Sequence, residues 1–214
     1  RGRTFSQIES YPHVIAPAGV GPSSFLRLAD GRIIFVQSRT SPESGVNGGG
    51  LPAISFSSDE GKTWTKPVIV TLPEGDGSWY VPNDRLIQTS KGRLIFPSAT
   101  IAGSGGEGDN EVSYILFSDD LGVTWKKSTG RAEISVNPGL GMQEPCVVER
   151  KDGSLFMLAR TGQGSLYKSL STDGGMTWSE PQPTTLISAC APSTMRKMPD
   201  GRLFVFYLNS PPVG

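Results

Sequence analysis

Glu144 and Arg160 stand eight residues before and eight residues after Asp152, in a stretch that reads strand, Asp-Gly turn, strand. A hairpin centred near Asp152 makes this carboxylate and guanidinium cross-strand neighbours at its open end. Such a pair at a pocket mouth binds an anionic substrate and tunes a nearby acid or base. The same two residues also fit a structural salt bridge. Equivalent geometry around Lys91-Gly92 puts Asn83, Asp84 and Arg85 near an open end, just after Trp79 and Tyr80. Aromatics running into three polar residues suit stacking on a sugar plus hydrogen bonding to it; the alternative is a polar network between neighbouring structural units. Arg39 ends a further strand, ahead of the Gly-rich segment 40–50. That loop either covers a pocket or is an idle surface excursion.

Other chemistries find little support. His13 is the only histidine, so Ser-His-Asp or Cys-His catalysis would need that one remote residue. Cys146 and Cys190 cannot make a disulfide framework or a zinc spacing, and both read as small buried apolar residues. Lys plus Arg is 20 and Asp plus Glu is 20, which removes the usual reason to expect nucleic acid or an anionic membrane surface as partner. Apolar runs such as Ile33-Ile34-Phe35-Val36 are far shorter than the roughly 20 residues of a membrane helix, so no membrane insertion is expected. The glycine-rich segment 102–110 lacks the Lys-Ser/Thr ending of a phosphate loop.

The elements that position these residues are announced by repetition. Ser57 to Trp64, Ser118 to Trp125 and Ser171 to Trp178 share the pattern S-x-D-x-G-x-T-W, with its Asp at 59, 120 and 173. The chemistry is that of a turn: the Asp accepts backbone N–H groups ahead of it, and the Gly permits a backbone angle that other residues resist. Three equivalent copies read as scaffold, against the alternative that these aspartates are catalytic or bind metal. Upstream lie strand-turn-strand segments at 25–36, 86–96, 147–158 and 195–206, each turning at Asp-Gly or Lys-Gly. Each unit therefore reads as four antiparallel strands, and such units repeated around a ring are propeller blades. The expected blades are 22–70, about 79–130, about 142–185 and an incomplete one from 191, with 1–16 as an outer strand of a preceding blade. With 27 glycines and 17 prolines, long helices are excluded. Three and a half blades do not close a ring, which points to a piece of a longer protein.

The repeated turn resembles the Asp box, or bacterial neuraminidase repeat, of the sialidases, six-bladed propellers that hydrolyse terminal sialic acid. Gln143 to Glu149, Asp152-Gly153, Leu158-Ala159-Arg160 and Ser171 to Gly175 together resemble the sialidase segment that carries the catalytic Glu and one of three substrate-carboxylate arginines. The resemblance gives those roles to Glu144 and Arg160. It implies an all-β, six-bladed β-propeller of which this chain supplies about three and a half to four blades, numbers two to five. Trp79 to Arg85 looks closer to a broad group of bacterial sialidase-like proteins. The family's F/Y-R-I-P arginine, acid/base Asp, third arginine and tyrosine nucleophile are not found here. The implied reaction is retaining hydrolysis: a tyrosine activated by Glu144 attacks the anomeric carbon while Arg160 holds the substrate carboxylate. It needs no metal or organic cofactor. The implied partner is a sialoglycan or another acidic sugar, and the implied home is secreted or periplasmic. The alternative is an Asp-box propeller that binds carbohydrate or protein without turnover.

Overall fold

A computed structural model of the chain describes residues 20–39, 51–70, 79–80, 83–100, 111–134 and 141–211, with the backbone alone at 20–22, 38–39, 51, 79–80 and 100. The expected outer strand at 1–16, His13 and the loops 40–50 and 102–110 lie outside the described residues. The described residues form strands and turns without a helix, and all pairing is antiparallel.

Three sheets and a hairpin follow one another along the chain. The first sheet is β1 (Val20–Arg27), β2 (Ile33–Arg39), β3 (Leu51–Ser57) and β4 (Val68–Ile69). In the second, β5 (Trp79–Tyr80) and β6 (Ile87–Gln88) both pair with β7 (Leu94–Thr100), followed by β8 (Ser113–Ser118) and β9 (Lys126–Lys127). The third is β10 (Gln143–Glu149), β11 (Leu155–Arg160), β12 (Ser165–Ser171) and β13 (Gln182–Ile187). β14 (Thr194–Lys197) and β15 (Leu203–Phe206) form the hairpin. This is the all-β blade architecture expected of a propeller, present as three sheets and the first hairpin of a fourth.

The inner side of the second blade comes in two short pieces, β5 and, from Ile87, the strand expected in segment 86–96. Among the described residues β7 has no inner partner between Ile95, which pairs with Ile87, and Ala99, which pairs with Tyr80. Pro97 falls in that gap, where a residue with no N–H to give is tolerated.

The core lies between blades, because the middle strands are apolar on both faces. In β7, Leu94 and Phe96 pack toward the first blade while Ile95 packs toward the third; in β8, Tyr114 and Leu116 alternate with Ile115 and Phe117 in the same way. That is the period-2 geometry of a strand buried on two sides. The third blade repeats it, with Val147 and Met157 facing backward and Cys146, Val148 and Leu158 facing the fourth hairpin.

The turns form as their residues dictate. Gly31, Gly92, Gly153 and Gly201 all have φ between 81° and 91°, and each donates its N–H to the carbonyl three residues earlier. One left-handed glycine closing a short hairpin loop sets the register of every inner strand pair. In the three S-x-D-x-G-x-T-W turns the Asp carboxylate accepts the Thr N–H and the Thr and Ser hydroxyls; at Asp120 these bonds are 2.9, 2.6 and 2.7 Å. The hydroxyl and N–H of the Thr and the Ser hydroxyl hold Asp59 and Asp120 at a pKa of about 2. Burial pushes Asp173 the other way, yet the same donors bring it to about 2. The indole N–H of Trp64 and of Trp125 closes onto the turn glycine's carbonyl, whereas Trp178 has no such partner among the described residues.

Blades are tied by a contact that recurs. The residue seven places before the hairpin glycine is Ser24, Arg85 and Cys146 in successive blades, buried each time. Ser24 donates to Asp84 and accepts the Leu86 N–H of the second blade; Arg85 donates to carbonyls of the third; Cys146 donates to the Ser193 carbonyl of the fourth. A second tie joins the turn ends: Ala29 N–H to the Gln88 side chain, and the Ser90 N–H and hydroxyl to the Glu149 carboxylate.

Candidate active site

The inner hairpin turns and the S-x-D-x-G-x-T-W turns sit at one end of the blades. Strand starts such as Gln143 and strand ends such as Arg160 therefore share the other end. There Arg160 Nη1 donates to Glu144 Oε2 at 3.0 Å, with the side chains 26% and 16% exposed. The expected juxtaposition is present, but the register is not the simple one. Glu149 pairs with Leu155 and Cys146 with Leu158, as a hairpin centred on Asp152 requires, and then Gln143 rather than Glu144 pairs with Arg160. Glu144 and Pro145 form a bulge, and Glu144 takes φ 44°. Bulges re-aim side chains, and a non-glycine residue in this region costs about 1–3 kcal/mol unless its surroundings impose it. Pro145 has no N–H, so leaving the ladder at this point forfeits no donor there.

Arg160 is fixed from two sides. Its Nε donates to Cys190 Sγ at 3.3 Å, and Cys190 lies at the entry to the fourth blade with φ 50°. Burial works against the charged guanidinium, but its hydrogen bonds to Cys190 and Glu144 and the charge of Glu144 outweigh it and raise its pKa. Of the five N–H groups of an arginine, three remain without a partner among the described residues, enough for a bidentate grip on a carboxylate. Glu144 Oε1 likewise accepts no bond among the described residues, which leaves one oxygen able to take a proton.

The second blade's residues divide. Asn83, nine places before its hairpin glycine as Glu144 is before its own, is exposed and left-handed at φ 33°. Asp84 is exposed but engaged: Oδ1 accepts the Ser24 hydroxyl at 2.9 Å and the Phe25 N–H at 3.1 Å, and Oδ2 pairs with Arg196 at 2.7 Å. Arg85 is 1% exposed, with Nη1 on the carbonyls of Glu144 and Pro145 and Nη2 on that of Ser193 at 2.8 Å. Arg85, expected as a substrate ligand, therefore lies beneath the site, because its Nη groups are committed to backbone carbonyls of two other blades. Asp84 and Arg85 take the form of the inter-blade polar network that was the alternative. Arg39 ends β2 opposite Val20 and Leu51, and its side chain, like those of Trp79 and Tyr80, lies outside the described residues.

Cys190 is the site residue that sequence reasoning missed. Read as a buried apolar residue, it is partly exposed and touches the guanidinium; Cys146 is buried as expected. The inner strands of all four blades also bound a cleft of about 270 Å³, lined by Phe25, Asp84, Gln88, Glu149 and Arg196 among others, toward the turn end and apart from Glu144 and Arg160. Among the described residues no group of three or more His, Cys, Asp or Glu is placed to hold a metal.

Known proteins resemble this chain in the same terms. The BNR repeat-like domain family matches residues 27–212. A sialidase of Bacteroides fragilis is 30% identical over 131 residues, 59% of this chain and 22% of that protein. Among solved structures, a Hadza microbial sialidase superposes with a TM-score of 0.70 at 22% identity, covering 91% of this chain and 41% of the other. The α-L-arabinofuranosidase of Fusarium graminearum superposes with a TM-score of 0.67 at 21% identity, covering 100% and 64%. The chain thus spans 22%, 41% and 64% of these three proteins, and the likeness to the two structures concerns the fold. Its repeated aspartate turns, its blades and the family match agree, and the chain belongs to the BNR repeat-like domain family of the sialidase superfamily.

Proposed function

We propose that the protein containing this chain is a retaining glycoside hydrolase of the exo-α-sialidase type, acting on terminal sialic acid or a related acidic sugar. The observation that carries this reading is the 3.0 Å contact between a half-engaged carboxylate, Glu144, and a half-engaged guanidinium, Arg160, both partly open at the strand-opening rim. Arg160 grips the sugar carboxylate through the N–H groups it has left. Glu144 accepts the hydroxyl proton of a tyrosine nucleophile, supplied from outside residues 1–214, as that oxygen bonds to the anomeric carbon and the aglycone departs. Asn83, at the matching position of the neighbouring blade, is the nearest candidate for a hydrogen bond to the sugar, and Arg39 and the aromatic pair Trp79-Tyr80 are further candidates at the same rim.

The test is release of a fluorogenic aglycone by the full-length protein from an α-sialoside and, in parallel, from an α-L-arabinofuranoside, which has no carboxylate. Glu144→Gln is expected to lower kcat by about 10²–10⁴-fold. Arg160→Ala is expected to lower kcat/KM on the sialoside by about 10²-fold. Full activity in both variants defeats the assignment, hydrolysis of the arabinoside alone redirects it to a neutral sugar, and binding without turnover makes the propeller a lectin-like module.

A further inference from the structure

We infer, resting on the glycosidase reading of Glu144, that Arg85 is a positioning residue that holds the Glu144 carboxylate in its working orientation from the neighbouring blade. The tie between blades needs no arginine as such. At the same place in the first and third blades a serine and a cysteine make the connection with one short side chain. Only in the blade that precedes Glu144 is the residue a guanidinium, buried at 1% exposure despite the cost of enclosing a charge.

What it touches explains the difference. Nη1 donates to the carbonyls of Glu144 and Pro145, the two residues of the bulge, while Nη2 is anchored on the Ser193 carbonyl of the blade beyond. The bulge lacks the ladder bond that Pro145 would otherwise donate, so the carbonyls on either side of the Pro145 ring are what remain to be held. Among the described residues Arg85 Nε is buried with no partner, so this side chain does not sit where its own hydrogen bonding is best. Its placement follows the bulge carbonyls. A planar fork reaches three acceptors in fixed directions; an ammonium at the end of a flexible stem does not. Arg85 thus imposes the left-handed backbone at Glu144, and the side chain leaves that backbone toward Arg160.

The experiment uses the full-length protein with Arg85→Met, Arg85→Lys and, as a control for blade docking alone, Ser24→Ala. In a crystal structure of Arg85→Met, Glu144 is expected to leave the left-handed region and its contact with Arg160 to open beyond hydrogen-bonding distance, with the pairing from Cys146 onward retained. In kinetics on the α-sialoside, kcat is expected to fall about 10²-fold in Arg85→Met, with KM changed by less than about threefold. Arg85→Lys should recover part of that loss, and Ser24→Ala should keep the wild-type kcat. A purely structural role would instead lower the melting temperature of Arg85→Met and Ser24→Ala alike and leave kcat per folded molecule unchanged. Wild-type kcat with Glu144 undisturbed in Arg85→Met overturns the inference; should that variant not fold, the same two readouts on Arg85→Lys decide. Should the wild-type protein hydrolyse no glycoside, the glycosidase reading fails by itself and the Glu144 geometry in the variants decides the role of Arg85.

Discussion

An arginine that must hold an anion and orient toward it needs some of its donors spent on the protein and some kept back. Arg160 has this division: Nε on the Cys190 sulfur, one Nη1 hydrogen on Glu144, the rest open. Cys190→Ala removes the first anchor only. It is expected to raise KM for an α-sialoside about fivefold, the net worth of about one ordinary hydrogen bond, with kcat little changed in steady-state assays. An unchanged KM would mean that Cys190 is a bystander. The nearness of Glu144 to Arg160 was legible because both stand eight residues from Asp152, although the bulge makes Gln143 the backbone partner of Arg160. The Cys190 contact was not, since it joins residues 30 apart through the entry to another blade, and a thiol in sequence looks the same whether it packs or accepts a hydrogen bond.

At the scale of the strand and the turn, what the chain encodes locally is what can be read from it. The hairpin glycines and the S-x-D-x-G-x-T-W turns satisfy their own backbone within a few residues, so type and spacing suffice. The depressed aspartates carry a pH dependence with a definite sign. Their pKa falls from the ordinary carboxyl value to about 2 on folding, so their contribution is complete above about pH 4 and is lost as pH drops toward 2. Urea melts between pH 5 and 2 should show Asp120→Asn with a shallower acid loss than the wild type, and parallel curves would show that the turn contributes nothing there. The bulge at Glu144 was not legible in the pairing pattern, because Pro145 marks a place where the ladder is interrupted without saying how the chain bends. The strand that leads into it is crowded as well. A Cβ on Gly141 would collide with the backbone carbonyl of Glu111, which cannot swing aside as a side chain can. Gly141→Ala is therefore expected to lower stability by about 2 kcal/mol or more in chemical denaturation, and a neutral result would show that this approach relaxes freely.

Across the whole molecule, a polar network between blades could be offered from the sequence as one reading of Asp84 and Arg85, but its partners could not, because they lie 59 to 112 residues away. Asp84 and Arg85 illustrate the difficulty: adjacent in sequence and alike in polarity, one reaches back to the first blade and across to Arg196 of the fourth, the other forward to the third and fourth. Asp84→Ala removes the acceptor for the Ser24 hydroxyl and Phe25 N–H and the partner of Arg196. Since the carboxylate is largely exposed, a loss of about 1 kcal/mol is expected, read as a lowered melting temperature that shrinks in high salt. No drop would mean that this boundary is held by its apolar face and by the Ser24–Leu86 and Ala29–Gln88 hydrogen bonds without help from Asp84.

The turns that fasten each sheet to itself lie at the end away from Glu144 and Arg160. Outside packed and tied residues of the far rim such as Gly141, Glu111 and Arg85, a sequence change there leaves the hairpin glycines and the S-x-D-x-G-x-T-W turns untouched. One chassis can in this way be refitted for different guests by changing only what surrounds its mouth.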